Sequence, residues 1–99
     1  MVVARAFVLN ASDNVATLVD TAKPGDDVSL VGAGSGSLRS TAEIAFGHKM
    51  ATRAVGKGDE IIKYGKVIGQ ATQAIAAGQH VHVHNVEALR ARGDKKSAS

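Results

Sequence analysis

The sequence has no cysteine, no tryptophan, one proline and only three aromatic residues, Phe7, Phe46 and Tyr64. Each shortage excludes something. Without cysteine there is no disulfide framework and no thiolate ligand, so a metal would have to be held by nitrogen and oxygen. The same absence fits a reducing, cytoplasmic compartment. So few rings give little support for stacking nucleic acid bases, and they leave the core to be built from Val, Ile, Leu and Ala. No segment approaches the roughly 20 consecutive apolar residues of a transmembrane helix. The opening stretch, MVVARAFVLNASDN, has no long apolar run followed by a cleavage site. The expectation is a soluble, untargeted chain that binds neither membrane nor nucleic acid.

What is present points to one small domain. A chain of 99 residues with 44% hydrophobic content can form a core but cannot bury surface generously, which predicts that it leans on a partner. The net charge of +3 divides as +1 over residues 1–86 (eight Lys/Arg, seven Asp/Glu) and +2 over residues 87–99 (four against two). A dispersed, mixed-sign surface of this kind favours solubility over a phosphate-tracking groove.

Glycine recurs at intervals of roughly ten residues, which leaves room for short strands and little for helices. Between the glycines lie ARAFVLN, NVATLVDT, DVSLVG, HKMATRAV, EIIKYG, KVIGQAT and HVHVHNV, several of them alternating apolar and polar side chains as a sheet with one buried face requires. KPGDD is the clearest turn, with Pro24 fixing φ and Gly25 free to take a positive value. GAGSGSLRS, residues 32–40, reads as a flexible surface loop. ATQAIAAG has helical composition but marginal length, and Gly78 ends it. AVGKGDEI and AIAAGQHV share the form apolar-x-x-Gly-x-x-apolar, which suggests similar turns. The pattern predicts an all-β domain over residues 1–86, followed by a polar tail over 87–99 that begins with at most a helical turn.

The densest chemistry is in AGQHVHVHN, Ala77 to Asn85, which holds three of the four histidines. On an extended chain, residues two apart share a face at about 6.8 Å, so His80, His82 and His84 would project together while Val81 and Val83 face the core. Neighbouring pairs could converge on one ion, but His80 and His84 would start about 13.6 Å apart on a straight strand. A metal would therefore take at most two of these histidines, with further ligands from elsewhere. The alternatives are proton transfer by neutral imidazoles, with Asn85 orienting a substrate or partner loop, or a plain wet strand of no special chemistry.

Other candidates are fewer. GHK supplies His48 and Lys49 after a tight turn, and IKYG places Lys63 and Tyr64 before a flexible residue. Lys63 suits an anionic carboxylate, and Tyr64 is expected to be half buried by packing. Asp13 and Asn14 read as turn residues that cap backbone groups. GKGD at residues 56–59 lacks the length and following helix of a phosphate loop. No Ser/His/Asp order, paired carboxylates or dinucleotide fingerprint stands out, so a complete active site within this chain alone is not expected.

Taken together, DNVA (Asp13 to Ala16), GHKMATRAVGKGDEIIKYGKVIGQAT (Gly47 to Thr72) and IAAGQHVHVHNV (Ile75 to Val86) resemble the amino-terminal SAF domain of the altronate and galactarate dehydratase family. The likeness covers most of residues 10–86, in order and with compatible spacing. It implies a β-clip fold of short, bent strands. It also implies a much larger catalytic subunit that eliminates water from a sugar acid to give a 2-keto-3-deoxy acid, with divalent iron (Fe2+) as the usual cofactor. The same small-plus-large arrangement occurs in sulfolactate sulfo-lyase, where sulfite leaves instead, and a free-standing 99-residue chain resembles the small subunit of such an enzyme.

Residue by residue, the resemblance assigns His48 and Lys49 to the GHK element, Lys63, Tyr64 and Gly65 to KYG, and His80, His82, His84 and Asn85 to HVHxHN. It implies catalytic roles for His82 and His84, substrate contacts from His48, Lys49, Lys63, Tyr64 and Asn85, and metal ligands among His80, His82 and His84. Where the family motif often continues with Lys or Arg and then Thr, this chain has Glu87 and Ala88. Two non-catalytic alternatives remain: a module that binds a sugar acid or a protein partner, and a stand-alone structural domain. A homo-oligomer is compatible with every reading.

Overall fold

The computed structural model describes residues 4–88. Nine short strands run in chain order: β1 (Ala4–Val8), β2 (Val15–Leu18), β3 (Asp27–Gly32), β4 (Ser37–Arg39), β5 (Lys49–Ala51), β6 (Glu60–Lys63), β7 (Lys66–Ala71), β8 (His80–Val81) and β9 (Val86–Ala88). There is no helix among the described residues. The all-β, SAF-like expectation therefore holds; from Gly25 to Gly78 glycine recurs at least every eleven residues, which leaves little room there for a stable helix.

Six strands form one sheet in the order β4-β3-β1-β2-β5-β8, and the other three form a second in the order β6-β7-β9. β1 and β3 pair in parallel, Ala4 opposite Val28, and all other pairs are antiparallel. Side chains of β1 alternate, with Ala4, Ala6 and Val8 buried and Arg5 and Phe7 outward. The ribbon of β2 and β5 is buried on both faces. Ala16, Leu18 and Met50 join a core with Val28 and Ile44. Val15 and Ala51 join a second core with Val55, Ile61, Ile75 and Val81. Register explains the division: Ala16 pairs with Met50 and Val15 with Ala51, and successive residues point to opposite faces.

One local unit occurs four times. An apolar residue at Ala22, Ile44, Val55 or Ile75 is followed three residues later by glycine, at Gly25, Gly47, Gly58 and Gly78, with φ of +87°, +86°, +89° and +86°. Ala22 bridges to Ile44, and Val55 to Ile75. The residue after each glycine donates its N–H back across the turn, from Asp26 to Lys23 O, His48 to Ala45 O, Asp59 to Gly56 O and Gln79 to Ala76 O, at 3.0 to 3.1 Å. This is a type II turn, whose third position demands positive φ and therefore glycine. The echo between AVGKGDEI and AIAAGQHV is thus half of a fourfold pattern.

Several local expectations change. GAGSGSLRS is the connection and return strand of a β3–β4 hairpin, with Ser37 paired to Ser29. ATQAIAAG is the end of β7 followed by one of the four turns. Glu87 and Ala88 belong to β9, paired with Gln70 and Gly69, where a helical turn was expected. Backbone pairing offered these segments more hydrogen bonds than a short isolated helix could. The tail beyond Ala88 lies outside the described residues.

Candidate functional site

The histidines gather where β5 and β8 pair. Lys49 lies opposite Val81 and Met50 opposite His80, so continuing the antiparallel register by one residue sets His82 opposite His48. The rings follow: the His48 and His82 centroids are 4.1 Å apart at 14°, His48 and His80 5.1 Å at 20°, and His80 and His82 5.4 Å at 11°. His48 Nδ1 and His80 Nε2 are 2.9 Å apart, one donating and the other accepting.

His48 stands where the fourfold turn pattern is broken. In the other three turns the corresponding side chain ties the turn shut: Asp26 accepts from Lys23 N at 2.9 Å, Asp59 from Gly56 N at 2.9 Å, and Gln79 from Ala76 N at 3.0 Å. The histidine reaches across to His80 instead.

The histidine strand is not extended throughout. β8 ends at Val81, and Asn85 N–H donates to His82 O at 3.1 Å, closing a turn. Asn85 is fully buried. Its carbonyl oxygen accepts from His82 N at 2.9 Å, its amide donates to His80 O at 2.8 Å, and its own backbone carbonyl accepts from Thr72 N at 2.9 Å. Asn85 is placed as the internal brace of this turn. Two expectations are corrected as a result. Val83 is 81% exposed rather than in the core. His84 is folded back to within 5.3 Å of His80, centroid to centroid, rather than about two strand repeats away.

Lys49 lies close enough to His82, and Lys63 to Lys49, for their charges to be felt. Partial burial and the nearby charge of Lys63 hold the Lys49 ammonium below its ordinary pKa. Burial, then the charges of His48, His84 and His82, lower His80, and desolvation, then His48, Lys49 and His84, lower His82. Both shifts favour neutral imidazole, the form that binds metal or accepts a proton. Beside His82 opens a cavity of about 220 Å³ between the two sheets, bordered by Lys49, Ile61, Ile68, Val81 and Val86. Its walls are largely apolar, with Lys49 and His82 as the polar side chains at its border.

Tyr64 is not half buried: it is 69% exposed at the tip of the β6–β7 hairpin. Lys63 pairs with Lys66, and both residues of the two-residue turn have positive φ, 59° at Tyr64 and 73° at Gly65. That is a type I′ turn, in which asparagine or glycine is the usual first residue. The turn is held by Asp13, 3% exposed, whose carboxylate accepts from Tyr64 N at 2.9 Å, Gly65 N at 2.9 Å and Asn10 N at 3.1 Å. Asn14 braces the same hairpin, donating to Glu60 O and accepting from Ile62 N, each at 2.8 Å. The capping role read for Asp13 and Asn14 is therefore largely exerted on a hairpin 46 to 52 residues away.

The residues fit a metal. His48, His80 and His82 each offer a nitrogen within 4.8 Å of the others, the set comprising two histidines of the strand and a third ligand from elsewhere. No helix among the described residues is long and apolar enough to cross a membrane.

Comparison with known proteins agrees with this architecture. The altronate dehydratase of Escherichia coli is 44% identical over 77 residues, which cover 78% of this chain and 15% of that protein. That of Bacillus subtilis is 34% identical over 84 residues, covering 84% of this chain and 16% of its own length. The (2R)-sulfolactate sulfo-lyase subunit alpha of Chromohalobacter salexigens is 47% identical over 47 residues, 48% of this chain and 50% of that one. The chain thus spans about one-sixth of the altronate dehydratases it matches. Residues 4–89 match the family described as the altronate/galactarate dehydratase SAF domain, and the chain belongs to that family.

Proposed function

We infer that this chain is the small subunit of a lyase that removes water from an altronate-like hexonate to give a 2-keto-3-deoxy acid. Its partner is a separate large catalytic subunit. The observation that carries the reading is the cluster of His48, His80, His82 and His84, with Lys49 close enough to His82 to lower its pKa and Lys63 close enough to Lys49 to lower that one. Elimination beside a carboxylate needs a base for the α-proton, an acid for the leaving hydroxyl and cations for the carboxylate. Lys49 and Lys63 suit the last task. His84 suits proton transfer, as does His82 when it holds no ion. Divalent iron, when bound, supplies the Lewis acid that polarises the substrate's oxygens. The relatives named sulfo-lyase subunit alpha support the two-chain arrangement and a sulfite-releasing variant of the same elimination.

Tyr64 adds weight. A bulky residue in the left-handed region costs about 1–2 kcal/mol, and an exposed ring recovers little of that by packing. Strain kept without a folding benefit points to a task at the hairpin tip, here contact with the substrate or the large subunit.

The test is co-expression with the large subunit, purification with ferrous ion, and assay on altronate, galactarate and sulfolactate. Turnover of one acid is expected, and His84→Ala is expected to lower kcat by about 10²-fold or more while the two chains still co-purify. Inactivity on all three, or a His84→Ala complex with unchanged kcat, would leave a binding module without catalytic groups.

A further inference from the structure

We propose that His48, His80 and His82 form a three-nitrogen divalent-metal site that this chain assembles by itself. The site would draw one ligand from the turn before β5 and two from the β8 segment, and it would exclude His84.

The spacing decides which histidines belong. A tetrahedral ion with metal–nitrogen bonds of about 2.1 Å sets its ligand nitrogens about 3.4 Å apart. In the trio, His48 Nδ1 and His80 Nε2 stand 2.9 Å apart, and one nitrogen of each ring lies within 4.8 Å of the others. Closing on an ion therefore asks for shifts of about an ångström or less, which rotation of the imidazoles supplies without moving the backbone. The rings are stacked within 20° of parallel, so they must fan out to aim their lone pairs at one point, trading the His48–His80 hydrogen bond for two metal bonds. His84 is tilted 45° from His80 and lies outside the trio.

The surroundings favour this use. His48 occupies the turn position that elsewhere carries a capping side chain, Asp26, Asp59 or Gln79, so its ring is not committed to the local fold. Asn85 fixes both His80 and His82 through their backbone O and N, limiting the conformational freedom lost on binding. Three nitrogens and no thiolate suit zinc, cobalt, nickel or ferrous ion rather than calcium or magnesium. Three protein ligands also leave a coordination position open for water or substrate. With His82 engaged, His84 remains the imidazole free to move a proton. The site goes beyond the lyase reading and does not depend on it, since ion binding by this chain needs no large subunit.

The experiment titrates the purified 99-residue chain with Co2+ alone, following the visible d–d absorption, and repeats it with His48→Ala, His80→Ala, His82→Ala and His84→Ala. Expected are one ion per chain with the intense bands of a tetrahedral site, weakening of about tenfold or more for each of the first three variants, and a change of about twofold or less for His84→Ala. For any variant that fails to fold, zinc titration of the wild-type chain followed through imidazole ¹⁵N shifts replaces it. Three histidines should respond directly and His84 should not. No cobalt binding, normal binding without His48, or loss of binding with His84→Ala would overturn the assignment. These results are separate from turnover of the two-chain complex, so failure of the metal site and failure of the lyase reading can be told apart.

Discussion

Replacing Asp13 tests whether the hairpin that presents Lys63 and Tyr64 is held from a distance. The Asp13 carboxylate is 3% exposed and accepts three backbone hydrogen bonds, two of them from the strained turn. A hydrogen bond to a charged group contributes about 1.5–3 kcal/mol when its loss leaves the partner dry. Asn10, Tyr64 and Gly65 are exposed residues, so water takes over part of the role and about 1 kcal/mol per bond applies. Asp13→Ala should therefore cost about 3 kcal/mol, a large share of the roughly 5–15 kcal/mol that stabilises a small domain. At about 4–8 °C per kcal/mol, Tm should fall by about 12–24 °C. Asp13→Asn keeps one acceptor but turns an N–H toward a donor, and about 2 kcal/mol is expected. Urea melts at neutral pH, with the slope m unchanged, measure both. A loss below about 1 kcal/mol for Asp13→Ala would refute the clasp, as would Asp13→Asn proving the more damaging of the two.

Two further outcomes separate backbone from side-chain effects. Gly47 and Gly78 share the same positive φ, yet a Cβ at Gly47 meets nothing within 4 Å while one at Gly78 runs into the Arg39 carbonyl oxygen. Gly47→Ala should cost about 1 kcal/mol from conformation alone, and Gly78→Ala clearly more; equal costs in urea melts would contradict the described packing. Stability should also fall with acid. The folded pKa values of His80 and His82 lie below the ordinary 6.5, so the unfolded chain binds more protons between those values and about 6.5. Stability contributed by the neutral rings is complete above that range and lost as pH drops through it. Urea midpoints without metal at pH 7.5 and 5.5 should differ in that direction, and His80→Gln should narrow the gap; an unchanged gap would reject His80 as a source.

The fold class was legible because glycine spacing and alternation are local properties. β3 coincides with DVSLVG, and KPGDD forms one of the four turns. ATQAIAAG misled because composition says nothing of a pairing partner, and its Ile75 finds one in Val55. Half of the histidine site was legible too: the period of two puts His80 and His82 on one face. The participation of His48 was not, since it follows from β5 pairing with β8 across 32 residues of sequence. Tyr64 was misjudged because burial was inferred from residue type, whereas a type I′ turn decides where its ring goes.

The same contrast explains how so small a scaffold hosts a site. Four similar turns bring strand starts to definite places, and three of them spend their fourth side chain on holding the turn closed. A turn can give up that bond at modest cost, because its backbone hydrogen bond and glycine remain: His48 N still donates to Ala45 O at 3.0 Å. At this position the histidine displaces a capping contact rather than a core one. The HVHVHN segment follows the same logic, with Asn85 buried to brace the turn and Val83 left exposed. An exposed valine beside the histidines and an exposed tyrosine at the hairpin tip gain nothing for the isolated chain. Each would gain apolar burial if another protein surface covered it.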